Sequence, residues 1–217
     1  MLLLAVDTAT AATSVAVVAD AEVLAERTHV DARGHAEVLA PLVREVLADC
    51  AVAMRSLAAV AVGVGPGAYT GLRVGLVTAQ ALGSALDVPV HGVVTLDALA
   101  AGSGLAGRFA VVTDARRREV FWALYDGPRS RARGPEAAAP DVVAVEVADL
   151  PVVGAGGTPF ADRFADVRGP DLPSAGALGL VAAAELGSGA PPVPPVPLYL
   201  RPPDVAASRG PRPVTPR

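Results

Sequence analysis

The chain has 217 residues, of which 52% are hydrophobic, 18% charged and 4% aromatic, with a formal net charge of −4. That balance suits one large domain or two small ones packed with small aliphatic side chains, and excludes a fibre, a disordered chain or a multi-module assembly. All 18 basic residues are Arg, so neither a Walker A loop nor a Schiff-base lysine is possible, and one Cys with three His excludes a disulfide framework or an internal zinc finger.

Residues 2–6 are a short apolar run stopped by Asp7, which reads as a buried strand rather than a signal peptide. Residues 13–18 and 22–30 follow as strands, with Asp20-Ala21 as a tight turn, so the three are antiparallel neighbours. Gly34 opens a helix over 35–50 with Leu39, Val43, Val46 and Cys50 as one apolar stripe and Val38, Leu42 and Leu47 beside it. That exceeds what one sheet contact needs, and either a second partner or Ala-rich composition accounts for it. Residues 57–64 form a continuous apolar strand of the parallel, doubly covered kind. A helix over 71–86, a strand over 90–94 and a further helix come next. Gly65, Pro66, Gly67 and Gly71 break the longest uncharged run, so it is no membrane span. Strands at 108–113 and 119–125 repeat the opening pattern, a weak internal duplication. A loop over 127–140, short strands at 142–147 and 152–154, a helix over 175–186 and a stiff polyproline stretch from Pro191 to Pro197 complete the order. Residues 1–105 and 106–201 are read as two lobes, and 202–217 as a disordered Pro/Arg-rich tail.

Asp7-Thr8-Ala9-Thr10 places a carboxylate at a strand end and hydroxyls in the turn after it. Such a turn can hold phosphate and orient hydrated Mg²⁺, although Asp and Thr are also ordinary turn residues. Residues 63–75 run from strand through a glycine-rich turn into a helix N-terminus, with Thr70 as the natural N-cap. Asp7, Thr8, Thr10, Gly65, Gly67 and Thr70 are therefore the candidate nucleotide-phosphate residues. Gly71, Gly75 and Ala79, with Leu72 and Leu82 on adjacent rows, equally offer a flat face for a second helix, and a purely structural turn is a third reading.

Three sequence features together resemble the TsaB (YeaZ) family. They are Leu4-Ala5-Val6-Asp7-Thr8-Ala9-Thr10, His35 with its helix, and above all Gly65-Pro66-Gly67-Ala68-Tyr69-Thr70-Gly71-Leu72-Arg73-Val74-Gly75. Asp114-Ala115-Arg116-Arg117 with Glu119-Val120-Phe121, and Pro197-Leu198-Tyr199-Leu200-Arg201, extend the similarity to nearly the whole chain. The resemblance implies an α/β actin-like ATPase fold of two RNase H-like lobes, the second one reduced, and a cytoplasmic non-catalytic subunit. Its implied role is in the complex that transfers threonylcarbamoyl from threonylcarbamoyl-AMP, supplied by TsaC, to N6 of adenine 37 in tRNA. The implied partners are TsaD as a heterodimer, TsaE, and tRNA through the complex, with a homodimer when the chain is alone. The complex, not this chain, handles ATP, ADP and metal. The TsaD metal site is implied to use a His pair after the strand over 90–94, where this chain has Asp97 and no such pair.

The interface implied by the resemblance uses the two apolar helices, through His35, Leu39, Val43, Val46, Cys50, Gly71, Leu72, Gly75, Ala79 and Leu82. The alternative is a free-standing ATP-dependent small-molecule kinase of the same fold, with Asp7 and its turn on phosphate and residues 154–158 as the adenosine pocket. Peptidase activity lacks a nucleophile and ligands. Arg116 to Arg118, Arg129, Arg131, Arg133, Arg209, Arg212 and Arg217 are the candidate tRNA contacts.

Overall fold

The computed structural model describes residues 1–189 and 191–201. The tail over 202–217, with Arg209, Arg212 and Arg217, lies outside the described residues. Strands β1 (Leu2–Asp7), β2 (Ala12–Ala19) and β3 (Glu22–Val30) lead to helix α1 (His35–Asp49), β4 (Ala59–Gly63), α2 (Tyr69–Leu86), β5 (Val90–Val93) and α3 (Thr95–Gly102). Then come β6 (Phe109–Asp114), β7 (Val120–Gly127), β8 (Ser130–Ala138), α4 (Pro140–Glu146), β9 (Val152–Val153), β10 (Val167–Arg168) and α5 (Ala175–Gly187).

The first sheet has the order β3-β2-β1-β4-β5 and the second β8-β7-β6-β9-β10. In each, three antiparallel strands continue into parallel ones. The weak duplication in the sequence is thus a duplicated topology, the two-lobed α/β actin-like architecture, with the second lobe's last strands cut to two residues each.

Period-two alternation builds the layers. Leu4, Val6, Val15 and Val17 face α1, while Val60 and Val62 face α2. Leu3, Ala5, Ala16, Val18, Ala59 and Ala61 face α5 on the opposite side. In the second sheet Ala110, Val112, Val120 and Trp122 face α4, while Phe109, Val111, Ala123 and Tyr125 face Leu96 and Leu99 of α3. The two lobes therefore exchange helices: α3 leaves the first sheet to pack on the second, and α5, which the sequence division places in the second lobe, covers the first. Small side chains make this possible, since a Cβ on Gly179 of α5 would lie 2.6 Å from Val18 Cγ2. The N-terminus of α5 is fixed by Ser174, which caps Ala177 N–H at 3.1 Å, and by Glu26, which accepts from Gly176 N–H at 3.2 Å.

Two elements differ from the sequence reading. The expected loop over 127–140 is largely the edge strand β8, paired with β7. Pro135, Gly134 and alternating Arg are edge-strand chemistry as well as loop chemistry, and Arg131 and Arg133 are tied to Asp97 and Glu136 at 3.0 Å each. The expected strand over 142–147 is the helix α4. Its run of Val favours a strand locally, but Pro140 at the first turn and the spacing of Val143 and Val147, both buried on the second sheet, favour a helix. The polyproline stretch lies along β5, where Gly92 N–H donates to Val193 carbonyl at 2.8 Å and Leu198 N–H to Val64 carbonyl at 2.8 Å, covering that edge.

Gly67 shows how tightly the first lobe is built, because a Cβ there would lie 2.1 Å from the carbonyl oxygen of Ala9, a backbone atom. Gly67→Ala is expected to destabilise the fold by about 3 kcal/mol or more, lowering Tm by roughly 6–12 °C. Gly127→Ala, where nothing lies within 4 Å, should move Tm by no more than about 2 °C; calorimetry of both variants checks the contrast.

Candidate functional site

The glycine-rich segment meets the end of β1. The Asp7 carboxylate, fully buried, accepts from Ala9 N–H at 2.9 Å and from Thr95 Oγ1 at 2.8 Å, at the start of α3. Burial raises its pKa to about 6, against the lowering effect of those two hydrogen bonds. The Thr8 hydroxyl donates to Gly71 carbonyl at 2.7 Å and accepts from Gly75 N–H at 3.0 Å. Gly71 and Gly75 are partners four residues apart, so the hydroxyl bridges one rung of α2.

Four glycines four residues apart face this turn. A Cβ on Gly63 would lie 1.9 Å from Asp7 Oδ2, and one on Gly71 would lie 2.7 Å from Thr8 carbonyl oxygen. On Gly75 it would lie 2.5 Å from Thr8 Oγ1, and Gly67 meets Ala9 in the same way. Close approach of two backbones therefore accounts for the glycines.

This placement bears directly on the expected phosphate residues. Asp7 and Thr8 are buried and engaged inside the protein, so neither is presented to a ligand. Thr70 is no cap: α2 starts at Tyr69 after Ala68, and Thr70 is exposed in its first turn. Gly65 and Gly67 serve the chain turn. Thr10 alone of the six reaches the cleft between the lobes, a cavity of about 330 Å³ also lined by Thr113, Asp114, Gly154, Gly157 and Asp171. The Thr113 hydroxyl there is buried without a protein partner.

The expected interface stripe also turns inward. Leu39, Val43, Val46, Leu72 and Ala79 are at most 3% exposed and form the monomer's own core. Gly71 and Gly75 lie under Thr8, and His35 is buried with Nδ1 2.7 Å from Thr13 Oγ1. Burial lowers the His35 pKa, with Asp31 opposing. Among the expected interface residues, Cys50 and Leu82 are half-buried. A helical wheel finds the stripes but not which one meets the sheet. Val38 and Leu42 of α1 and Val74 of α2 are half-buried, Leu42 and Val74 at the margin of the core, while Val77 of α2 is 63% exposed. The three imidazoles stand apart: His29 is exposed on β3, and His91 Nε2 lies 2.6 Å from Glu185.

A groove of about 620 Å³ was not legible in the linear reading. It is lined by residues 67–69, 115–117 with Glu119 and Phe121, and 198–201. Arg201 pairs with Glu119 and donates to Ala115 carbonyl at 3.0 Å. Tyr69 and Tyr199 stack at 5.1 Å, and Arg73 lies over Tyr69 at 4.1 Å while donating to Tyr199 Oη at 2.9 Å. Arg116, Arg117 and Arg118 have φ of +62°, +51° and +62°, a left-handed run that costs about 1–2 kcal/mol per residue.

The model for the TsaD family, tRNA N6-adenosine threonylcarbamoyltransferase, matches residues 22–165. Over 92% of this chain and 99% of the other, YeaZ from Pseudomonas aeruginosa superposes with a TM-score of 0.78 at 33% identity. The chain belongs to the TsaB (YeaZ) family. The tRNA threonylcarbamoyladenosine biosynthesis protein TsaB of Bacillus subtilis is 36% identical over 126 residues, 58% of this chain and 55% of that protein. An uncharacterized protein of Mycobacterium tuberculosis is 48% identical over 93% of this chain and 92% of its own length. Of the TsaB motifs named from sequence, residues 4–10 and 65–75 form the β1 to α2 junction, and residues 115–117, Glu119, Phe121 and 198–201 line the 620 Å³ groove.

Asp7 supplies a pH test. Its folded pKa is raised above the unfolded value, so the protonated form favours folding, and stability falls as pH rises from about 4 through about 6. Asp7→Asn is expected to gain up to about 3 kcal/mol at pH 7 to 8 relative to its effect at pH 4; urea unfolding at both pH values measures it, and an equal effect at both contradicts the burial argument.

Proposed function

We propose that this chain is the non-catalytic partner subunit in the biosynthesis of threonylcarbamoyladenosine at adenine 37 of tRNA. It docks on TsaD in the cytoplasm and supports TsaE, while the complex handles nucleotide and metal. The observation that carries this reading is the outward side of α1 and α2. Their inner faces are filled by the first sheet, yet Val38, Leu42, Val74 and Val77 still present apolar surface. Burying such a side chain stabilises association by about 1.5–3 kcal/mol before ordering costs. The biosynthetic role of the TsaB relatives, the 33% identity to YeaZ over 99% of that chain, and the match to the TsaD family model support the assignment. The same face would join two copies when TsaD is absent. Full burial of Asp7 and the engagement of both hydrogen-bonding roles of Thr8 weigh against the free-standing kinase. Among the described residues no helix is long and apolar enough to cross a membrane.

The docking residues sit one helical row outward from the stripe read in the sequence. Val77→Asp is expected to weaken association with TsaD at least roughly tenfold, as the desolvation of one carboxylate demands, with Tm within about 2 °C of the wild type. Val43→Asp, by contrast, buries a charge in the monomer and should unfold it. Co-elution of Val77→Asp with TsaD at wild-type affinity on gel filtration removes this face from the proposal.

A further inference from the structure

We propose that the 620 Å³ groove holds the phosphate backbone of the tRNA substrate, an assignment that rests on the biosynthetic role proposed above. Three segments far apart in sequence, all among those that carry the family resemblance, converge on this one groove: the start of α2, the turn between β6 and β7, and the stretch 198–201. Their chemistry is cationic and aromatic. Arg116 and Arg117 line the groove, Arg118 adjoins them, and Arg73 borders it through its contacts with Tyr69 and Tyr199.

Charge accounting favours an anion. Glu119 neutralises Arg201, and Asp114 lies 3.3 Å from Arg116, a pair with the Arg largely exposed to water. Among the described residues Arg73 meets a phenol and an aromatic face, both neutral, and no carboxylate pairs with it. Arg73 and Arg118, with which no carboxylate pairs among the described residues, leave the local excess positive on a chain whose formal charge is −4. The backbone adds a second argument. Positions 116 to 118 all lie at positive φ, where Gly is the least strained residue, yet each is Arg. A turn selected for shape alone would favour Gly; Arg at all three keeps a dense cationic edge. Guanidinium groups beside exposed aromatic rings match single-stranded or loop RNA better than an acidic protein surface, because rings offer bases a stacking face as the cations hold phosphates.

The test uses Arg116→Gly/Arg118→Gly, which removes two charges and relieves the left-handed strain, so folding is kept. In the assembled complex with TsaD and TsaE, affinity for an unmodified tRNA transcript is measured across a salt series, beside gel filtration and Tm. The expected result is a fall in tRNA affinity of roughly tenfold or more, with the slope of log K against log salt shallower by about one to two, complex assembly unchanged and Tm no lower than that of the wild type. Arg73→Gln should add a further weakening in the same direction. Unchanged tRNA affinity and slope overturn the proposal, as does loss of TsaD or TsaE from the complex at constant tRNA affinity, which would make an acidic protein the occupant. If the variant weakens tRNA binding as expected but the wild-type complex makes no threonylcarbamoyladenosine, the groove assignment stands and the biosynthetic reading fails.

Discussion

One hydroxyl ties the first lobe together. Thr8 Oγ1 bridges the carbonyl of Gly71 and the amide of Gly75, and so fastens the end of the first strand into the hydrogen-bond ladder of α2. Close contact of this kind demands glycine wherever the helix and its approach pass over residues 7–9, which explains Gly63, Gly67, Gly71 and Gly75 by a single cause. The chemistry that looked like a phosphate cradle is turned inward to hold protein against protein. Asp7 completes the joint by receiving Thr95, so the turn after β1 fixes α2 on one side and α3 on the other.

The exchange of helices makes the two lobes one body. Because α3 packs its leucines on the second sheet and α5 its small face on the first, neither sheet is covered on both faces without the other half of the chain. Alanine and glycine at the α5 contact permit the close spacing, and the carboxylate of Glu26 anchors that helix at its start. The outward side of α1 and α2 then remains as the apolar surface of a lobe already stabilised elsewhere, a rigid face suited to docking.

Much of the fold was legible because its signals are local. Alternation in the first three strands, the continuous apolar run of β4 and the glycine punctuation before α2 all report the backbone directly. The β8 edge and α4 were misread because their residues satisfy two patterns, and only the second sheet decides between them. At the site, the motifs were legible but their geometry was not. A wheel shows that Leu39, Val43 and Val46 share a stripe, yet only three-dimensional packing shows that the stripe belongs to the core. Arg73, Tyr69 and Tyr199 are a cluster that only the return of residues 198–201 creates.

The turn after β1 acts as a structural clamp in this fold, through Thr8 on α2 and Asp7 on α3. Thermal unfolding of the wild type and of Thr8→Val, each with and without Mg-ATP, separates clamp from phosphate site most directly. The clamp predicts that Thr8→Val melts lower by roughly 2–12 °C, for a loss of about 1–3 kcal/mol from the two hydrogen bonds its hydroxyl makes, with no ATP-induced shift for either protein. An unchanged melting temperature for the variant, together with a wild-type stabilisation by Mg-ATP that the variant loses, would contradict it.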